Sequence, residues 1–103
     1  MATEMPAVAA DVGPLKGGWI PSSSSCKAYR DRSDESAMMI SGRQIEFYES
    51  TCVIRGAKKS GASYSLKLLC EGEGETFQRS FVGKLNGNNT LVVKDGFTYK
   101  RCS

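Results

Sequence analysis

The sequence predicts an all-β fold: a small antiparallel up-and-down barrel of about eight short strands, stapled by two disulfides. Three observations carry this. Apolar and polar residues alternate with a period of two in short runs, and those runs are separated by Gly-, Asn-, Asp- and Ser-rich turns. No stretch sustains a helical period with caps. Four widely spaced cysteines, Cys26, Cys52, Cys70 and Cys102, sit in a chain of 103 residues, an even count that reads as two bridges in so small a domain.

Residues 1–14 are Ala- and Pro-rich without a period and read as a disordered leader, with the single domain over 15–103. Within the leader, Ala7-x-Ala9 fits the small-residue pattern at a signal-peptide cleavage site. Order is expected from Leu15 through Trp19 and Ile20. Pro21 and the run Ser22 to Ser25 then break the pattern, and Tyr29 to Glu35 reads as a charged loop. A single helical turn has room only at Asp34 to Met39.

Strands follow from Ala37. Ala37 to Ile40 ends at a Ser41-Gly42 turn, and Arg43 to Tyr48 alternates as a half-buried strand. Cys52 to Arg55 comes next. Tyr64, Leu66, Leu68 and Cys70 then share one face, and Glu71 to Gly74 turns the chain. Phe77, Arg79 and Phe81 share a face within Thr76 to Leu85. Asn86-Gly87 and Asp95-Gly96 are hairpin signals around Leu91 to Val93, and Phe97 to Cys102 closes the domain.

One register is testable. With Ser60-Gly61-Ala62 as a three-residue loop, Gly56 faces Leu66, Ile54 faces Leu68 and Cys52 faces Cys70. A Cys52–Cys70 bridge follows, leaving Cys26 with Cys102. The pairings 26–52 with 70–102, and 26–70 with 52–102, stay open on sequence grounds.

Composition narrows function. Hydrophobic residues make up 40% and charged residues 24%, which excludes wholesale disorder; the net charge of +3 is too small to point to nucleic acid. There are no histidines, so the commonest general base and the commonest zinc ligand are both missing. The cysteines form no Cys-x-x-Cys pair. The Ser22 to Ser25 run has no histidine partner, and Glu46 and Glu49 would lie on opposite faces of one strand rather than flank a bond. Glu71, Glu73 and Glu75 alternate with glycines as a solvated turn does, and a calcium loop needs more ligands. Asn88-Asn89-Thr90 fits the glycosylation pattern within a turn. No cofactor, metal, catalytic residue or membrane span is expected.

Gly17-Gly18-Trp19 on the first strand, with Arg101 on the last, resembles the Gly-x-Trp signature of lipocalin-like barrels. The resemblance implies a structural pair in which Arg101 packs on Trp19 at the barrel base. Trp19, Cys26, Phe47 to Cys52, Cys70 to Glu75 and Tyr99 to Cys102 together resemble small secreted bacterial proteins, which implies a periplasmic or secreted location. Ser60-Gly61-Ala62-Ser63-Tyr64 resembles the Ser-Gly-x-x-Tyr loop of periplasmic lysozyme inhibitors, which implies a binding site at Ser60, Gly61, Ser63 and Tyr64 flanked by Lys58 and Lys59. The aromatic segment that follows the loop in that family is missing here.

The function expected is a non-enzymatic extracytoplasmic binding module with a protein partner, acting through its surface or a barrel mouth. One alternative is an inhibitor of a cell-wall or host hydrolase using the Ser60 to Tyr64 loop. Another is a carrier for a small apolar ligand, with a cavity lined by Phe47, Leu66, Leu68, Phe81 and Val93.

Overall fold

The computed structural model describes residues 12–94 and 96–103. Eight antiparallel strands run up and down in chain order and close into a barrel, the last pairing with the first. They are β1 (Gly17–Pro21), β2 (Met38–Ile40), β3 (Gln44–Glu46), β4 (Thr51–Ser60), β5 (Ser63–Gly72), β6 (Glu75–Asn86), β7 (Thr90–Val93) and β8 (Thr98–Arg101). The bridges are Cys26–Cys102 and Cys52–Cys70. Residues 1–11 of the expected leader, with Ala7-x-Ala9, lie outside the described residues, as does Asp95 of the expected Asp95-Gly96 turn. Val12 is buried and Gly13–Leu15 form one 3-10 turn, so the chain is packed ahead of Leu15.

Period-two alternation places Trp19, Met38, Ile40, Ile45, Cys52, Leu66, Leu68, Cys70 and Leu91 in one contiguous core inside the barrel. The register puts Cys52 opposite Cys70 and Ile54 opposite Leu68. The hairpin beyond them differs from the expected one. Ser60 pairs with Ser63, so the loop is the two residues Gly61 and Ala62, with Gly61 at a φ of 60°. A positive φ at the first central position is the type II′ pattern, whose twist matches the flanking strands. Ala57, not Gly56, then faces Leu66. A bulge between Ile54 and Gly56 absorbs the extra residue, so both registers agree again at the disulfide.

Two further expectations are corrected. A helix, α1, forms at Cys26–Arg30 rather than near Asp34 to Met39. The serine run read as a breaker supplies its cap, since the Ser25 side chain accepts a hydrogen bond from the Ala28 N–H. The helix lies across the outer face of β1, where a Cβ on Gly18 would fall 2.1 Å from the Tyr29 ring. The strand expected over Arg43 to Tyr48 stops at Glu46. Phe47 to Ser50 form a loop closed by a 2.8 Å hydrogen bond from the Phe47 N–H to the Ser50 carbonyl, which takes Glu49 off the strand altogether.

The β5–β6 turn, Glu73 and Gly74, has φ of 53° and 80°, a type I′ geometry that suits Asn-Gly. Glu73 is strained there by its Cβ. Its carboxylate also stands beside Glu49, and that charge together with a hydrogen bond between the two side chains raises the Glu49 pKa above 4.5. The folded state therefore holds this proton more tightly than the unfolded chain. Stability falls as the pH rises from about 4.5 through the raised value. Replacing Glu73 by Asn should relieve the backbone by about 1 kcal/mol. Urea melts across the acid range should show a more stable variant with a smaller pH-dependent decline, since desolvation and the Glu35 charge still raise Glu49.

Candidate functional site

Alternate strand ends define a base and a rim. At the base lie the 3-10 turn, the β2–β3, β4–β5 and β6–β7 connections and the C-terminal residues. At the rim lie the β3–β4, β5–β6 and β7–β8 connections and the segment entering β2.

The base is sealed. Leu15 and Trp19 are fully buried, and the Trp19 Nε1–H donates to the Leu15 carbonyl at 2.9 Å. Arg101, paired with Trp19 across β8 and β1, sits with its guanidinium carbon 4.4 Å from the indole centroid. Its Nε donates to the Asn88 carbonyl at 2.8 Å, one terminal nitrogen to Pro14 at 2.7 Å and the other to Lys16. Gly17 makes this closure possible. Its φ of 132° and a would-be Cβ only 2.2 Å from the Ser103 carbonyl oxygen exclude any side chain. Trp19 and Arg101 thus stand paired and in contact at the base of the barrel.

The rim is open, and strand lengths explain why. β6 pairs with β5 along ten residues but with β7 only from Gly83 to Asn86. Above Gly83 the inward row of β6 continues as Phe81, Arg79 and Phe77 with no strand on its other side. Phe81 is buried, whereas Arg79 and Phe77 are exposed. The Arg79 guanidinium lies 4.2 Å from the Phe47 ring centroid. On β8 and the turn before it, Tyr99 is half-buried and stacks edge-on with exposed Phe97 at 5.2 Å. Burial pushes the Tyr99 phenol up, the Arg79 charge partly offsets this, and Asp34 adds to it. Both charges therefore reach the same rim. Exposed Tyr48 follows Phe47 in the β3–β4 loop. Beside them, an open groove of about 330 Å³ is lined by Asp34, Met38, Met39, Glu46, Phe47 and Tyr48 among others. A larger open groove of about 890 Å³ runs along β4 to β6 past Arg55, Lys67 and Arg79.

The sequence-derived site divides. Lys58, Lys59, Ser60 and Gly61 are exposed and Ser63 is half-buried at one base tip. Tyr64 is 1% exposed and lies in the core, with the Lys59 ammonium 5.6 Å from its ring centroid. Of the residues expected to line a cavity, Leu66, Leu68 and Phe81 are buried in the packed core, and Phe47 and Val93 pack against it. The rim residues were not singled out from the sequence as one site. A usable signal was present: the row Phe77, Arg79, Phe81 runs into the charged turn at Glu71 to Glu75, so its outer members had to leave the core.

Among the described residues, no group of three or more His, Cys, Asp or Glu side chains is arranged to hold a metal ion, and no helix is long and apolar enough to cross a membrane. No protein-family model, curated protein or solved structure matches the chain.

Proposed function

We propose that the chain is a non-enzymatic binding module of an oxidising, extracytoplasmic compartment, periplasmic or secreted, and that it binds a protein partner through the open rim. The observation that carries this is the segregation of aromatic side chains. Phe47, Tyr48, Phe77, Phe97 and Tyr99 gather with Arg79 at the open end, while Trp19 and Tyr64 fill the sealed barrel below. Aromatic residues and arginine dominate the energetics of protein interfaces because each presents a large, rigid surface with a polar handle. Two disulfides in so small a domain support the compartment. The packed core favours a surface over an enclosed ligand cavity.

A second reading is favoured by charge. Carboxylates at Glu46, Glu49, Glu71, Glu73 and Glu75 stand around the rim. Lysozyme-type hydrolases are basic, so an inhibitor of one would be steered to this end and not to the lysine-flanked tip at Ser60.

The test is capture from an envelope extract on the oxidised protein, followed by titration of the identified partner. A Phe77→Ala, Phe97→Ala variant should weaken that partner by about tenfold or more per truncated anchor. A Ser60→Ala variant should bind as the wild type does. Loss in the Ser60 variant with retention in the rim variant would move the site to the base tip and sink this reading.

A further inference from the structure

The meander sorts charge by end. Acidic and basic stretches alternate along the chain, and an up-and-down barrel visits rim and base alternately, so the two signs separate in space. Every acidic side chain among the described residues falls in 31–35, 46–49 or 71–75, which lead into or connect strands at the rim. The base-side stretches 13–17, 40–44, 55–67, 81–92 and 100–103 contain no Asp or Glu. They do contain Lys16, Arg43, Lys58, Lys59 and Lys84, all exposed. Among the described residues the ion pair present is Lys27 with Asp31 at 2.9 Å, on α1, so carboxylates do not neutralise these base cations.

These cations are spread over several strands at one end of the barrel. Lys16 precedes β1, Arg43 lies in the β2–β3 turn, Lys58 and Lys59 flank the β4–β5 tip, and Lys84 is two residues before the end of β6. Together they stand at the sealed end. Exposed serines at Ser60 and Ser65 stand among them and can donate to phosphate oxygens. Among the described residues the large exposed apolar side chains Met39, Tyr48, Val53, Phe77 and Phe97 lie on the barrel wall or at the rim, whereas Val82 stands opposite Ser65, which in turn stands opposite Lys58. A cationic end on which Val82 is the large exposed apolar side chain among the described residues suits an anionic surface, held mainly by charge.

We propose that the base of the barrel docks on an anionic phospholipid membrane surface, with the rim turned away from the bilayer. The attraction is Coulombic, and therefore it is screened by salt within a Debye length. It does not rest on the rim reading, since lipid adsorption is measured without any protein partner.

The full oxidised chain is sedimented with phosphatidylcholine vesicles, with and without phosphatidylglycerol, at low salt and at about 0.5 M salt. Binding is expected to the anionic vesicles alone and to disappear at high salt. Lys58→Ser, Lys59→Ser, Lys84→Ser together should weaken it by roughly a hundredfold, from about fivefold per cation near the surface. An Arg30→Ser, Arg32→Ser, Lys94→Ser protein has the same net charge and should bind like the wild type. Equal binding to neutral vesicles, an unaffected Lys58, Lys59, Lys84 variant, or an equal loss in the net-charge control would overturn the proposal. So would tighter binding to soluble inorganic polyphosphate than to vesicles at matched phosphate. Near-ultraviolet circular dichroism checks the fold. Should the triple variant misfold, Lys16→Ser with Arg43→Ser must show the same direction of loss.

Discussion

Removal of the Cys26–Cys102 bridge, by Cys26→Ala with Cys102→Ala, is expected to lower stability by about 4.5 kcal/mol, or roughly 20 °C in Tm for a domain of this size. The bridge joins residues 76 apart, so it restricts most of the unfolded chain. It also ties α1 to the end of β8. Five residues of helix with no buried side chain would not persist on their own. Cys52–Cys70 closes only 18 residues and spans two strands already paired along a hairpin, so its chain-entropy share is about 3 kcal/mol. Exposure separates the bridges in a second way. Cys52 and Cys70 are fully buried, whereas Cys26 and Cys102 are half-buried. Graded reduction with thiol trapping should therefore label Cys26 and Cys102 first, in a barrel whose core pairing is still intact. Urea titration of the double variant checks the magnitude. A midpoint equal to that of the wild type would mean that closure of the barrel does not depend on this tie.

The strands and the disulfide pairing were legible because they depend on local alternation and on one register. Cys52 opposite Cys70 required nothing beyond period-two geometry and a hairpin near Gly61. The hairpin loop is one residue shorter than the alternation suggests, and the bulge at Ile54 to Gly56 that compensates for it is marked only by Gly56 inside the strand. Helix α1 was hidden because a serine before a short segment reads equally as breaker and as cap. The site was harder for a deeper reason. Tyr64 follows from the same inward row as Leu66, Leu68 and Cys70, so its burial was implied by the register and conflicts with a role at an exposed loop. Phe77, Arg79 and Phe81 look alike in periodicity. Their separation into rim and core depends on β7 pairing only up to Gly83, which is a matter of neighbouring strand length and not of local pattern. Charge segregation is likewise invisible until the meander folds alternate stretches to opposite ends.

Arg101→Ala is expected to open the sealed base at a cost of about 2–4 kcal/mol, combining a cation–π contact with charge-assisted hydrogen bonds that are partly screened by solvent. The guanidinium covers the Trp19 ring and also donates to three carbonyls from two segments, at Pro14 and Lys16 and at Asn88. One side chain thus fastens the 3-10 turn that leads into β1 and the β6–β7 turn onto the last strand. Lysine keeps the charge but has no planar fork, so it can serve one of these carbonyls while leaving the others to water. Arg101→Lys should therefore recover less than half of the loss. Trp19 is the only tryptophan in the chain, which makes the readout direct. Its emission should shift to the red and become accessible to acrylamide in Arg101→Ala, at temperatures where the far-ultraviolet spectrum is still native. Trp19→Phe keeps a ring under the guanidinium but loses the Nε1 hydrogen bond to Leu15 and the bulk of a buried indole, so its cost is read by urea titration and not by emission. If Trp19 stayed shielded in Arg101→Ala, the packing of Val12 and Leu15 would be sufficient to hold the base, and the arginine would matter for rigidity rather than closure.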